Sequence, residues 1–87
     1  MPFCIAVYDV HCSRVSKVLR VLREYLTWTQ NSVLEGELTK KQIELMLRDV
    51  RRRLNPEYDR FCLYIINEET WVHRKIIGPV TREGTIL

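Results

Sequence analysis

The sequence predicts an α+β domain, one β-sheet with two helices packed on a single face, and three observations carry that expectation. Phe3 to Tyr8 and Phe61 to Ile66 are apolar on both parities, as strands at the centre of a sheet are. Two segments, Val15-Val18-Leu19-Leu22-Leu26 and Ile43-Met46-Leu47-Val50-Leu54, space their apolar residues as one face of a helix. Between those helices, Thr27 to Leu38 is strand-like again, with Asn31-Ser32 near its middle. The order strand, helix, hairpin, helix, strand, followed by a C-terminal extension, is the ferredoxin-like βαββαβ plan with an extra C-terminal strand. Right-handed crossovers then put both helices on the same side of the sheet.

Each element has its own local reason. The first strand is rich in aromatic and β-branched residues and ends at Asp9 and Val10. Ser13 is placed to cap the first helix, which runs to about Leu26 with Lys17, Arg20 and Arg23 on its outer face. The stretch from Thr27 to Leu38 reads as a tight hairpin, or alternatively as one bent strand. Thr39-Lys40-Lys41-Gln42 is a capping box, and Leu38 can staple onto Ile43. Asn55-Pro56 ends the second helix. Val72 to Ile77 is a weaker strand, Gly78-Pro79 a turn, and Thr85-Ile86-Leu87 an apolar tail. The expected division is a domain over residues 1–78 and a C-terminal strand or tail over 79–87.

With 87 residues the chain is one domain. Its 46% hydrophobic and 29% charged residues exclude a disordered chain. A domain this size buries only about 60% of its unfolded surface, so oligomerisation is a natural source of extra burial. Two helices cover one face of a sheet whose central strands are apolar on both. A second copy of the same face is the simplest cover, in a two-fold homodimer. The Phe61–Ile66 edge would also be bare, and the tail Thr85-Ile86-Leu87 is expected to cap it in the partner.

Cys4, Cys12 and Cys62 are odd in number and lack CxxC spacing, which fits a reducing, cytoplasmic setting. Met1-Pro2 opens straight onto a strand-like run without a basic leader, and the longest apolar run is far too short to span a bilayer, so no membrane partner is expected. No GxGxxG or Walker-type loop is present. His11-Cys12 lacks the additional ligands of a zinc site and the local signatures of a nucleophile pair.

Asp9 is the residue with the most chemistry to offer, because a charge at the end of an apolar central strand must be solvated, paired or bound to metal. It either meets water and neighbours such as Ser13, or points at the two-fold axis, where two carboxylates would need a cation. Mg²⁺ suits the second case. The net charge of +3 is modest, but the basic residues gather on the two helices. Arg51-Arg52-Arg53 has no acid close after it until Glu57 and is the better phosphate candidate; Lys17 and Arg20 ride the first helix. A solvated face with local pairs to Glu24, Glu44 and Asp49 is the plain alternative.

Tyr8-Asp9-Val10, then Arg14-Val15 and Lys17-Val18, then Trp28-Thr29-Gln30-Asn31-Ser32-Val33-Leu34-Glu35-Gly36-Glu37-Leu38-Thr39, resemble CRISPR-associated protein 2, as does the later Ile76-Ile77-Gly78. The resemblance covers nearly the whole chain. It implies a homodimer, a metal-dependent endoribonuclease or double-stranded DNA nuclease, and a part in spacer acquisition beside the CRISPR-associated protein 1 integrase. By position it makes Asp9 the catalytic and metal residue, for Mg²⁺ or Mn²⁺, with Tyr8 its neighbour and Arg14 the arginine opening the first helix. Arg14, Lys17, Arg20, Arg51 and Arg52 are the expected contacts to duplex DNA or RNA. The alternatives are a structural DNA-binding scaffold without catalysis and a toxin-like endoribonuclease. Leu34 stands where the family often has Phe, and His11-Cys12 where many members have acidic or amide residues.

Overall fold

The computed structural model describes residues 1–67 and 72–78. The elements run β1 (Phe3–Asp9), α1 (Cys12–Tyr25), β2 (Thr27–Gln30), β3 (Val33–Glu37), α2 (Lys40–Arg53), β4 (Arg60–Ile66) and β5 (Val72–Ile77). They form one five-stranded sheet in the order β2-β3-β1-β4-β5. Every neighbouring pair is antiparallel. This is the expected ferredoxin-like arrangement, with β5 added beside β4.

Side-chain parity divides the sheet into two unlike faces. Ala6 lies opposite Leu34 on one side and Leu63 on the other, and Tyr8 lies opposite Phe61. These residues, with Cys4 and Ile65, pack against Val18, Leu22, Met46 and Val50 of the helices in one buried core. The other face carries Phe3, Ile5, Val7 and Asp9 of β1, opposite Ile66, Tyr64, Cys62 and Arg60 of β4. Phe3, Ile5 and Val7 are half-buried there, and no helix covers them. Cys62 is fully buried on that face, outside the helix-side core.

The stretch after α1 is a hairpin. Gln30 pairs with Val33 around a two-residue loop, and Thr29 is bulged between the Trp28 and Gln30 pairings. Asn31 takes the positive φ of 38° that the turn demands, a conformation Asn tolerates better than most residues. The capping box of α2 is formed as expected: Gln42 N–H donates to Thr39 Oγ1 at 3.1 Å, and Thr39 N–H donates to Gln42 Oε1 at 2.8 Å. The cap of α1 differs from expectation. His11, not Ser13, is the N-cap, because its Nδ1 accepts the Ser13 N–H at 3.1 Å and so leaves Ser13 inside the first turn.

The Phe61–Ile66 edge is not bare within one chain, because β5 pairs along it from Ile77 opposite Phe61 to Val72 opposite Ile66. The premise for capping that edge with Thr85-Ile86-Leu87 therefore changes. That tail, like the rest of 79–87, lies outside the described residues.

Gly78 follows β5 at φ 109°, and a Cβ there would overlap the Asp59 carbonyl oxygen. Gly78→Ala must therefore both strain the backbone and push β5 away from the α2–β4 loop. The expected loss is about 2 kcal/mol or more, read as a lower urea midpoint with an unchanged slope. Unaltered stability would show that the close approach relaxes freely.

Candidate functional site

Asp9 ends β1, the central strand of the five, and its side chain is 72% exposed. Cross-strand pairing places it opposite Arg60, whose Nη2 lies 3.5 Å from Asp9 Oδ2. An exposed ion pair this long holds the carboxylate only weakly. Both groups line a cleft of about 320 Å³ with Tyr8, Asn31 and Ser32. The hairpin tip is tied to this corner: Tyr8 N–H donates to the Ser32 carbonyl at 3.1 Å. Tyr8 Oη and Trp28 Nε1 both donate to the Asn31 carbonyl, at 3.2 and 2.8 Å.

The carboxylate of Asp9 is a hard oxygen donor with room for water, which fits Mg²⁺ or Mn²⁺ by chemistry. No group of three or more His, Cys, Asp and Glu comes together among the described residues. Asp9 is the one carboxylate among the residues that line its cleft.

Two residues behind Asp9 the chain is gripped by Asp59, which is 1% exposed. Its Oδ1 accepts the His11 N–H at 3.0 Å and Arg14 Nη2 at 2.7 Å. Its Oδ2 accepts Arg14 Nε at 2.5 Å and the Asn55 N–H at 2.8 Å. The Arg14 fork, against the opposing cost of burial and with help from the two backbone donors, holds the Asp59 carboxyl well below the usual carboxylate range. The same bond raises the Arg14 guanidinium.

This arrangement gives Arg14 a structural partner. Its Nε and Nη2 are taken by a buried carboxylate, so Arg14 braces the start of α1 rather than presenting a free fork to phosphate. Asp59 escaped the sequence reading, since its partners lie 45 and 48 residues away and nothing local marks it. Its one sequence signal is the turn Asn55-Pro56, which needs an acceptor for the Asn55 N–H. His11 is likewise occupied, because Nδ1 accepts from Ser13, which leaves the ring proton of the neutral imidazole on Nε2.

Lys17 and Arg20 on α1 and Arg51 and Arg52 on α2 are exposed, and none is in an ion pair among the described residues. Arg53 is turned back onto the Asp49 carbonyl at 3.0 Å. Arg23 lies 5.9 Å from the centre of the Trp28 ring. The helix layer thus presents unpaired cations, while the opposite sheet face presents apolar side chains and Asp9.

The geometry is that of a ferredoxin-like domain with an exposed acid at the end of its central strand and free cations on its helical layer. A family model described as CRISPR associated protein Cas2 matches residues 1–74, and the chain belongs to that family. It is 42% identical over 76 residues to the CRISPR-associated endoribonuclease Cas2 of Dictyoglomus turgidum, covering 87% of each chain. It is 37% identical over 76 residues to the protein of that name from Thermotoga maritima, again covering 87% of each. A solved structure described as the crystal structure of cas2 superposes with a TM-score of 0.72 at 36% identity, covering 99% of this chain and 98% of that one. No helix among the described residues is long and apolar enough to cross a membrane.

Because the folded Asp59 carboxyl titrates below its ordinary value near 4, its bonds stabilise the fold above about pH 4 and are lost as pH falls below it. Asp59→Asn removes the charge and is expected to cost about 2 kcal/mol near neutrality. The variant should also show a flatter stability profile between pH 5 and 2 than the parent, followed by urea unfolding at each pH. Parallel profiles would remove Asp59 from the list of groups that set acid stability.

Proposed function

We propose that the chain acts as a homodimer joined through the uncovered face of its sheet, with the two copies of Asp9 meeting to hold Mg²⁺ or Mn²⁺ at a phosphodiester. The observation that carries this reading is the place of Asp9. It is exposed at the end of the central strand, on the face where Ile5, Val7, Cys62 and Tyr64 have no helix over them. A two-fold contact there buries the apolar side chains and brings like charges together, which calls for a cation.

When bound, the metal supplies positive charge against the charge developing on phosphate and acidifies a water. Asp9 contributes its carboxylate oxygens, and Arg60, 3.5 Å away, is placed to steady a phosphate oxygen. Lys17, Arg20, Arg51 and Arg52 attract the polyanion without reading its sequence. The names of the relatives point to RNA as the first substrate, and duplex DNA is the second candidate. The family relationship supports a place in spacer acquisition beside the CRISPR-associated protein 1 integrase. Three free cysteines suit a reducing cytoplasm.

A second reading, a duplex-binding scaffold without cleavage, is favoured by one observation. His11 is used as a helix cap through Nδ1, and among the described residues no imidazole lines the Asp9 cleft.

Asp9→Asn separates the two. Cleavage of RNA in Mg²⁺ should fall to background, while sedimentation at micromolar concentration still shows a dimer, as an interface on the order of 2,000 Å² would give. Retained cleavage would place the chemistry elsewhere, and a folded monomer for the parent chain would end the shared-site reading. Arg52→Ala should weaken duplex binding evenly across sequences. It should also lower the slope of log K against log salt by about 0.9 per phosphate contact and copy; an unchanged slope would leave Arg52 in a merely solvated face.

A further inference from the structure

Five strands at about 4.8 Å spacing make a sheet roughly 24 Å wide. Two helices packed about 10 Å apart cover roughly four of those strands. β5 lies at the sheet edge beside β4, and of its described residues Ile77 alone joins the helix-side core. The mismatch leaves a groove of about 750 Å³ between α2 and the β4–β5 edge. Ile43 and Leu47 of α2 and Ile65 of β4 give it an apolar floor and wall. Lys40 and Arg51 stand on the α2 side, Lys75 on the β5 side, with Glu44 the one carboxylate among the lining residues. None of the three cations is in an ion pair among the described residues.

We infer that this groove docks an acidic amphipathic α-helix of a second protein, which completes the helical layer over β5. Lys40 and Arg51 lie eleven residues apart on α2, about 16 Å at 1.5 Å per residue. Acidic side chains three turns apart on an incoming helix would reach both. Apolar side chains between them would cover Ile43, Leu47 and Ile65, and an acid on the opposite flank would meet Lys75. The three cations against one carboxylate supply the charge complementarity, and the apolar floor supplies the affinity. A nucleic-acid backbone is the poorer occupant, because phosphates have no use for Ile43, Leu47 and Ile65. The groove opens on the helix side, so this docking stands independently of Asp9 and of the dimer face, although it shares Arg51 with the proposed polyanion contacts.

The test titrates the full-length ¹⁵N-labelled protein with two synthetic helical peptides that share one apolar face. One carries Glu at positions eleven residues apart, the other Lys. The acidic peptide should bind with amide shifts centred on α2 and β5, and more weakly as salt rises. Leu47→Glu and Lys75→Glu should each cut that affinity by about tenfold. Lys75→Glu is a surface change that tests the groove even if Leu47→Glu perturbs packing. Equal binding of both peptides, or none of the acidic one, overturns the inference. Displacement of the acidic peptide by a short DNA duplex would reassign the groove to nucleic acid. Tighter peptide binding after Ile86→Ser and Leu87→Ser would give it to the chain's own tail.

Discussion

Asp59 accepts N–H bonds from His11, from Asn55 and twice from Arg14, and it does so almost wholly out of water. A buried carboxylate is tolerable only when its lone pairs are met, and here each oxygen takes two donors. The donors come from the β1–α1 corner, the first turn of α1 and the end of α2. A single anion thereby joins the start of one helix to the exit of the other. It also fixes where β1 ends, because the His11 N–H is held two residues past Asp9. Gly78 packs against the carbonyl of the same residue, so the exit of β5 is gathered at the same point. The direction of Asp9 is thus set by a neighbour that never touches it.

The second constraint is one of area. Strands apolar on both parities cannot be satisfied by helices on one side. Within one chain, the residues of β1 opposite the helix core stay only half-buried, while Cys4, Ala6 and Tyr8 disappear. The uncovered face is bordered by Asp9 and Arg60 at one end and by Glu35 and Glu37 of β3, opposite Ile5 and Phe3. Such a face, apolar in the middle and charged at its margin, has the anatomy of a protein–protein contact rather than of a wetted surface. On the helix side the same arithmetic of widths leaves the groove beside β5.

The order of elements and the two-faced character of the sheet were legible in the sequence, because parity and helical spacing are local. Phe3–Tyr8 and Phe61–Ile66 announced central strands, and Thr39-Lys40-Lys41-Gln42 announced a helix start that the bonds of Thr39 and Gln42 confirm. The hairpin was one of two open readings; the positive φ of Asn31 decides for it. What stayed hidden depends on residues far apart in the chain. Arg14 reads as a free cation until Asp59, 45 positions on, is folded against it. His11 reads as a possible ligand or base until its Nδ1 is seen accepting from Ser13. Val72–Ile77 was legible as a strand, but not as the cover of the β4 edge, since pairing choice at a sheet edge leaves little trace in composition.

Asp9 and Asp59 show how one residue type is given opposite work by its surroundings. Asp59 is buried, takes four donors and is locked ionised, so it has nothing left to offer a ligand. Asp9 is exposed and has one distant cation as company, so its oxygens are free to exchange partners. A structural acid is expected to be satisfied; an acid that must accept a metal or a phosphate-bound water has to remain unsatisfied until the ligand arrives. The fold spends its good donors on Asp59 and leaves Asp9 open at the end of a strand whose direction is already fixed. Arg60 then has a double consequence. It offsets the lone charge of Asp9, and at 3.5 Å in an exposed position it holds that carboxylate only loosely.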